Sequence, residues 1–549
     1  MEHFKFNPNR NCEYFPCHKG IDPDEFNCLF CYCPLYLLGL DCGGDFRLTK
    51  GVKNCSECIK PHERGGYEFV MSRMPLVFEK MKEKIFSGRY KLKLYNTMSG
   101  TVEEFVPILP GKVSMYTCGP TVYDYAHIGN LRTYVSEDIL VRTFEFLGYD
   151  VTRVMNVTDV GHLSDDGDDG EDKMVVGARR EKKTVWEIAR YYEEAFFEDM
   201  DKLRLKRPSI VERATDHIDN YIDFIRVLEE KGYTYQAGGN VYFDVSKVPD
   251  YTKLSKVPLD QLQTAAREDV VVDENKKNPY DFVLWFTKSR FDSQEMRWPS
   301  PYGEGYPGWH LECSVIALET LGEEMDIHCG GVDHIMTHHT NEIAQTESYT
   351  GKQPWVRHWW HAEFLLDEEG KMSKSKGDFL TLALLESRGF SPMHYKYYLL
   401  GSHYRKQLPF KFEYLEGARD AYEKLRDRVL DLGEPENCRA HVEDFISALT
   451  DDLNTASALT VIYNVLKDDT LTPAQKAGSI KQMDSVLQLG LFEKKKLKVS
   501  EEWVLEKIEE RSAAKEKKDW ATADAIREEL REKGIAIMDG KDGTTWKPL

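Results

Sequence analysis

The chain has 549 residues, of which 41% are hydrophobic and 30% charged, and carries a formal net charge of -20. That length exceeds what one core organises, so three or more domains are expected, and the composition is that of a folded chain rather than a disordered one. The acidic balance excludes indiscriminate polyanion binding; a nucleic-acid partner would have to meet a local concentration of basic and aromatic side chains.

The chain opens Met-Glu-His-Phe-Lys and reaches Cys12 before any apolar run, so no leader is expected. The apolar stretch Cys28 to Leu40 is too short to span a bilayer. A cytoplasmic protein without membrane contact is the reading. Eight of the twelve cysteines lie between Cys12 and Cys58. In a reducing compartment such crowding points to metal rather than disulfides. The ligands on offer are Cys12, Cys17, Cys28, Cys31, Cys33, Cys42, Cys55 and Cys58, with His18 and His62 in reserve. Eight thiols suffice for two tetrahedral zinc sites or for an iron–sulfur cluster, and a zinc scaffold is the expectation. Residues 1–88, ending in a linking helix from Met71 to Ile85, are read as one unit.

A second regime begins near Tyr90. Val113 to Cys118 alternates as a strand does. After a Gly-Pro turn, Leu131, Val135 and Ile139 recur every four residues in a helix from Asn130 to Leu147, with Gly148 as its stop. Val151 to Val157 reads as the next strand. Strand, helix, strand opens a parallel, Rossmann-type α/β sheet. From about 159 to 298 an acidic run (Asp165 to Asp172, read as a solvated loop), amphipathic helices and a hairpin at Val241 to Val245 read as an insertion between the halves of the sheet. Met325 to Cys329 resumes the strands, Gly330-Gly331 turns, a helix starts near His338, and Phe364 to Leu366 is a short strand. The unit is expected to span 89–400. Beyond it, Tyr414 to Leu432 and Val442 to Leu466 form a helical bundle over 401–490. A helix pair from Glu502 to Lys533 and a strand from Ile535 to Met538 form a small unit over 491–549.

Two motifs suit phosphate. His127-Ile128-Gly129-Asn130 lies between a strand and a helix N-terminus, where backbone N–H groups attract anions. Lys371-Met372-Ser373-Lys374-Ser375 is a short loop able to wrap a triphosphate. In this order they resemble the two signature motifs of class I aminoacyl-tRNA synthetases. Asn130 stands where the class usually ends its first motif in His; it can donate a hydrogen bond but carries no charge. The resemblance implies ATP with Mg2+, catalytic roles for His127, Asn130, Lys371 and Lys374, and nucleotide contacts from Gly129, Met372, Ser373 and Ser375 as well.

A further set could bind metal. His338 and Glu342 share a helical face, and Cys118 and Cys313 add thiols. Spacing alone does not bring them together; each thiol could be an ordinary buried one and the His–Glu pair a surface pair. Tyr-Thr-Cys-Gly-Pro-Thr-Val-Tyr around Cys118, Pro-Gly-Trp-His-Leu-Glu-Cys ending at Cys313, and His-His-Thr-Asn-Glu-Ile-Ala-Gln from His338 resemble the cysteinyl-tRNA synthetases, over about Tyr90 to Leu549. That resemblance implies a zinc ion on Cys118, Cys313, His338 and Glu342. It implies substrate contacts from Cys118, Thr158, Trp309 and His310, with His328 and Asp333 lining the pocket. L-cysteine and tRNA(Cys) are the implied partners, and a monomer the implied state. Zinc would separate cysteine from serine, because it favours a soft thiolate over a hydroxyl.

Cys329 stands where the family often has Gly and reads as a small buried residue. The segments Glu443 to Tyr463, Lys517 to Asp524 and Gly543 to Trp546 resemble the family's anticodon-binding regions. Lys494 to Lys498 is a phosphate-facing patch or a solvated linker. Rival readings are a cysteine–amino-sugar ligase, which would lack these C-terminal units, and a non-catalytic tRNA-binding or metal-sensing protein.

Overall fold

The computed structural model describes residues 3–49, 52–78, 80, 90–161, 183–258, 273–288, 295–367, 370–371, 380–493, 499–540 and 543–548. The acidic run Asp165 to Asp172, the loop Met372 to Ser375 and the basic run Lys494 to Lys498 lie outside them. No helix among the described residues is long and apolar enough to cross a membrane.

The N-terminal unit has little regular structure: a hairpin of β1 (Arg47–Thr49) and β2 (Val52–Asn54), and a short helix α1 (Gly66–Met71). A second hairpin, β3 (Lys93–Asn96) with β4 (Thr101–Glu104), precedes the main sheet.

The main sheet is built from β5 (Lys112–Thr117), α2 (Ile128–Phe146), β6 (Asp150–Val157), α3 (Val185–Lys202) and β7 (Ile210–Arg213). Its second half is α5 (Trp309–Leu321), β12 (Met325–Gly331), α6 (His338–Thr350) and β13 (Val356–Ala362). Its order is β13-β12-β5-β6-β7, and every neighbouring pair is parallel. The chain thus starts in the middle, runs to one edge, then returns to fill the other side. The strand order reverses between β5 and β12, and in open parallel sheets ligands bind outside the carboxyl ends at such a switch point. Both faces are covered. Val113 and Met115 of β5 join the core under α2 and α3, while Tyr116 and Cys118 join the core under α5 and α6.

Two features differ from the expectation. β7 falls inside the stretch 159–298 expected as an insertion; with only four half-buried residues it carries little strand signal. β13 has no counterpart in the sequence reading. Six of its seven residues are buried, so it lacks the polar alternation that marks a half-exposed strand.

Between β7 and α5 stand α4 (Ile218–Glu230) and an antiparallel sheet ordered β11-β10-β9-β8. Its strands are β8 (Thr234–Ala237), β9 (Asn240–Phe243), β10 (Phe282–Phe286) and β11 (Tyr306–Pro307). After β13 come β14 (Leu365–Asp367), β15 (Gly370–Lys371), α7 (Leu382–Ser387), α8 (Pro392–Leu400) and β16 (Leu408–Pro409). The three strands form a small sheet in which β14 is central.

The helical region contains α9 (Phe412–Leu430), α10 (Val442–Thr450), α11 (Thr455–Lys467) and α12 (Pro473–Leu487). The expected helix Val442 to Leu466 is broken in two at Asp452 and Leu453, which hold positive φ of 54° and 55°. Asp452 uses the break to tie the bundle to the rest. It accepts from the Tyr95 N–H (2.9 Å) and the Tyr404 hydroxyl (2.6 Å) and pairs with Arg405. The chain ends with α13 (Glu501–Glu516), α14 (Trp520–Glu532) and the hairpin β17 (Ile535–Gly540) with β18 (Gly543–Pro548).

Candidate active site

Cys118 directly follows β5, at the switch point. A Cβ at Gly119 would stand 1.6 Å from the Asn156 carbonyl oxygen, so only glycine lets the chain leave the strand here. Asn156 also accepts from the Gly119 N–H at 2.8 Å and stands 3.7 Å from Cys313 Sγ. Cys313 lies in the second turn of α5, and His338 and Glu342 lie one turn apart on α6.

These donors converge. The Cys118 and Cys313 sulfurs are 4.0 Å apart, and His338 Nε2 is 3.0 Å from Glu342 Oε1. One ligand atom from each of Cys118, Cys313, His338 and Glu342 lies within 4.8 Å of all the others, and all four residues are buried. A second set, Cys118, His328, His339 and Glu342, meets the same criterion. His328 Nε2 is 2.9 Å from Glu342 Oε2, and His339 Nε2 is 3.2 Å from Cys118 Sγ. His339 is in turn held by His361 (2.8 Å), and His338 by His310 (2.9 Å between Nδ1 atoms).

Electrostatics adjust this cluster strongly. Burial raises the Cys118 thiol well above its ordinary range, and Cys313 adds to the shift. Burial would also raise Cys313, but the contact with Cys118 and the charge on His338 bring it down to about 7. His338 is raised to about 10: burial opposes its charge, and Glu342 and Cys313 overcome it. Glu342 falls to about 2 because His328 and His338 outweigh burial. The arrangement sets the Glu342 carboxylate against the His338 imidazolium beside two buried thiols, and a divalent cation could take the place of the protons held there.

Trp309 is half-buried and stacks on His338, with ring centroids 4.1 Å apart. Thr158 is buried, donates to Glu312 at 2.6 Å and accepts from Asn156 at 3.0 Å, so its hydroxyl proton is committed inside the protein. Cys329 is fully buried, and its thiol is pushed well up by burial, which is the behaviour of a packing residue.

The first phosphate-type motif is a helix cap. His127 Nδ1 accepts from the Asn130 N–H at 3.0 Å, and Asn130 Oδ1 accepts from the His127 N–H at 3.3 Å. This reciprocal pair satisfies two orphan donors of α2. It also leaves a neutral His127 ring with its proton on Nε2. A Cβ at Gly129 would stand 2.9 Å from the His127 ring, so the glycine makes room for the fold-back. The Ile128 N–H donates to the Leu380 carbonyl at 2.8 Å, which ties this motif to the chain just beyond the second one. Lys371 lies in β15, paired with Leu366.

Comparison with known proteins decides the family. A model of the class I (C) tRNA synthetase catalytic domain matches residues 104–420. Models of the DALR domain and of the cysteinyl-tRNA ligase anticodon-binding domain match 444–488 and 508–546, and a cysteine-rich small domain matches 3–85. The chain is similar to the cysteine–tRNA ligase of Treponema denticola, 47% identical over 493 residues, covering 83% of this chain and 100% of that one. It is similar to cysteine–tRNA ligase 1 of Burkholderia lata, 45% identical over 457 residues, covering 82% and 96%. That of Borrelia hermsii is 41% identical over 481 residues, covering 83% and 99%.

The chain belongs to the cysteinyl-tRNA synthetases.

Its activity is therefore that of a cysteine–tRNA ligase, a class I aminoacyl-tRNA synthetase, with ATP, cysteine and tRNA(Cys) as the reactants this implies. The sequence reading gave no role to four buried polar residues packed around this donor cluster: Asn156, His339, Gln345 and His361. Gln345 donates to the His310 carbonyl at 2.6 Å and to Ser314 at 2.7 Å. Its place one turn beyond Glu342 was the available signal. His361 sits in β13, the strand that was itself missed.

Proposed function

We propose that the synthetase selects cysteine with a zinc ion held by Cys118, Cys313, His338 and Glu342. The convergence of these four buried donors outside the switch point carries this reading. In a tetrahedral site with zinc–sulfur bonds of about 2.3 Å, two thiolates stand about 3.8 Å apart; the two sulfurs here are 4.0 Å apart. Two thiolates favour this set over the one containing His328 and His339. Those histidines then act as outer partners, contacting Glu342 and Cys118 and orienting them. When bound, zinc supplies a soft Lewis-acid centre that prefers a substrate thiolate to a hydroxyl.

The remaining roles belong to the chain. Trp309 and His310 pack on His338 and keep it oriented toward the pocket. Thr158 acts through its bonds to Glu312 and Asn156. ATP, accompanied by magnesium, would be held by the motif at the N-terminus of α2 and by the motif Lys371 to Ser375. There the cysteine carboxylate attacks the α-phosphorus and pyrophosphate leaves. His127 donates from Nε2 to the phosphates, Asn130 holds that ring and keeps its amide N–H to donate, and Gly129 lets the chain approach. Lys371 and Lys374 neutralise the leaving group, and Met372, Ser373 and Ser375 add nucleotide contacts. The α10 to α14 region recognises tRNA(Cys), with Trp520, 60% exposed, available for base stacking. The enzyme works as a cytoplasmic monomer, divided near residues 88, 400 and 490.

Cysteine-dependent ATP–pyrophosphate exchange, followed by charging of tRNA(Cys) or of an amino sugar, tests the reading, with zinc content measured on the same sample. Exchange and tRNA charging that both depend on zinc are expected. Exchange that survives complete removal of zinc would sink the metal-selection mechanism.

A further inference from the structure

The rim beside the first phosphate motif carries aromatic rings that the site above does not use. Tyr125 stands two residues before His127 in the loop from β5 to α2, and Tyr191 lies in the second turn of α3. Both helices follow strands of one parallel sheet, β5 and β6, so both begin at its carboxyl edge. That is the edge at which Cys118 and His127 stand and at which such sheets bind their ligands.

The two rings form one supported surface. Their hydroxyl oxygens are 2.6 Å apart, and their centroids are 6.1 Å apart with the planes at 73°. Both meet Tyr192 edge to face, at 5.0 Å from Tyr125 and 5.1 Å from Tyr191. Tyr192 is 2% exposed and belongs to the main core, so it holds the outer rings from beneath. Tyr125 stays 36% exposed and Tyr191 40% exposed. Rings already held in this way lose little side-chain freedom when another flat group stacks on them.

Charge supplies an independent observation. The Lys183 ammonium stands 3.9 Å from the centroid of the Tyr191 ring, just before Thr184, the N-cap of α3. Glu187, the acid in the first turn of that helix, is committed to the cap: it accepts from the Thr184 N–H and hydroxyl, each at 2.9 Å. In the sequence, four of the five residues from Arg179 to Lys183 are basic, in a chain of net charge -20. So acidic a protein draws a polyanion only to places where cations and aromatic rings concentrate. Exposed rings beside an ammonium suit single-stranded nucleic acid, whose bases stack while a phosphate meets the cation.

We propose that Tyr125, Tyr191 and Lys183 form a ledge that takes the unpaired 3′ end of tRNA(Cys), with a base stacked on the tyrosines and a phosphate against the Lys183 ammonium. The reaction names the occupant. A ribose hydroxyl at the RNA 3′ end displaces AMP from the adenylate: its oxygen bonds the carbonyl carbon, the bond from that carbon to the phosphate oxygen breaks, and AMP takes the proton. The nucleotides that bear this hydroxyl must therefore reach the carboxyl edge of the sheet, where the ledge stands. The assignment rests on the placement of ATP beside His127 proposed above, and it gives the ledge no part in forming the adenylate.

Binding of two RNAs to the full-length enzyme tests this: intact tRNA(Cys), and the same RNA lacking its last three nucleotides. Tyr191→Ala is expected to weaken binding of the intact RNA about tenfold, as loss of one stacked base would, and to leave the truncated RNA within about twofold of the parent. Tyr125→Ala should show the same dependence on the 3′ nucleotides. Tyr191→Phe keeps the ring and should stay within about threefold of the parent with the intact RNA. Lys183→Met should reduce the salt dependence of intact-RNA binding by about one phosphate contact. The binding is measured without ATP or cysteine, so its outcome does not depend on where the adenylate forms. ATP–pyrophosphate exchange by the parent and by His127→Ala reports on that placement separately. Equal loss of affinity for both RNAs, unchanged affinity in both alanine variants, or a phenylalanine variant as weak as the alanine one would each overturn the proposal.

Discussion

Arg132 on α2 is 2% exposed and makes no ion pair among the described residues; its guanidinium donates to the carbonyls of Phe364, Lys406 and His403. Phe364 precedes β14 and Lys406 precedes β16; β14 is the central strand of the small sheet and pairs with β16 on one side and with β15, which contains Lys371, on the other. The same helix bears His127 at its N-cap. Arg132 therefore fixes one phosphate motif relative to the other. Arg132→Met removes three hydrogen bonds worth about 1 kcal/mol each, about 3 kcal/mol in total. If that loss falls on the aligned geometry of the adenylation transition state, the rate drops about a hundredfold. Cysteine-dependent ATP–pyrophosphate exchange, with kcat and both KM values determined, is the assay. A fall in kcat of about that size is expected, with the KM for cysteine and the zinc content unchanged, because neither depends on the β14–β16 platform. Arg132→Lys should fall between, since an ammonium cannot address three carbonyls in a fixed fork. Exchange within about threefold of the parent in a folded Arg132→Met protein would refute the reasoning.

Cys313→Ser should release the catalytic zinc and collapse discrimination of cysteine over serine in the exchange assay by at least about a hundredfold, because a hydroxyl is a poor zinc ligand. Burial raises Glu137, paired with Arg153 at 2.8 Å, to about 7, with Arg153 opposing. A carboxyl whose folded value exceeds its unfolded one stabilises the fold fully below about pH 4.5 and loses that contribution as pH rises through about 7. Glu137→Gln should therefore remove about 3 kcal/mol of pH-dependent stability across that window, read from melting curves at pH 5 and 8. Asp452→Ala breaks the tie between the helical bundle and β3, so aminoacylation of tRNA should fall about tenfold while exchange stays within about twofold. Trp520→Ala should raise the KM for tRNA about tenfold and leave exchange unchanged, as loss of one base-stacking platform would.

The local reading sufficed for β5, α2 and β6, whose ends lie within a few residues of those expected, and for the start of α6 at His338. It failed for β13 and β7 for opposite reasons. β13 is buried almost throughout and has no polar face to mark its period, whereas β7 is too short to establish one. α12 was passed over as well, with a buried face that includes Ala477, Gly478 and Ser479 among its larger apolar residues. The broken helix at Asp452 has a different origin. The sequence Asp451-Asp452-Leu453-Asn454 has little intrinsic reason to hold two consecutive positive φ values, and it does so because Asp452 satisfies Tyr95, Tyr404 and Arg405 from other elements. Local strain was set by long-range bonds, which no window along the chain contains.

The site divides along the same line. The residue types pointed to its chemistry, since Cys118 and Cys313 lie in motifs beside a strand end and a turn, and His338 and Glu342 share a face by spacing alone. Their meeting depends on the parallel pairing of β5 with β12, Ile327 against Met115 and Cys329 against Thr117, which brings the end of the first strand beside the turn that leads into α6. That pairing joins segments more than two hundred residues apart and has no local signature. It also explains why the second donor set went unseen. His328 is a strand residue buried in the sheet and His339 is one position off the face that carries His338 and Glu342, yet the sheet order sets both against the same two ligands. An isolated buried imidazole more often packs than ligates, so their role as outer partners of Glu342 and Cys118 becomes readable only once the switch point is known.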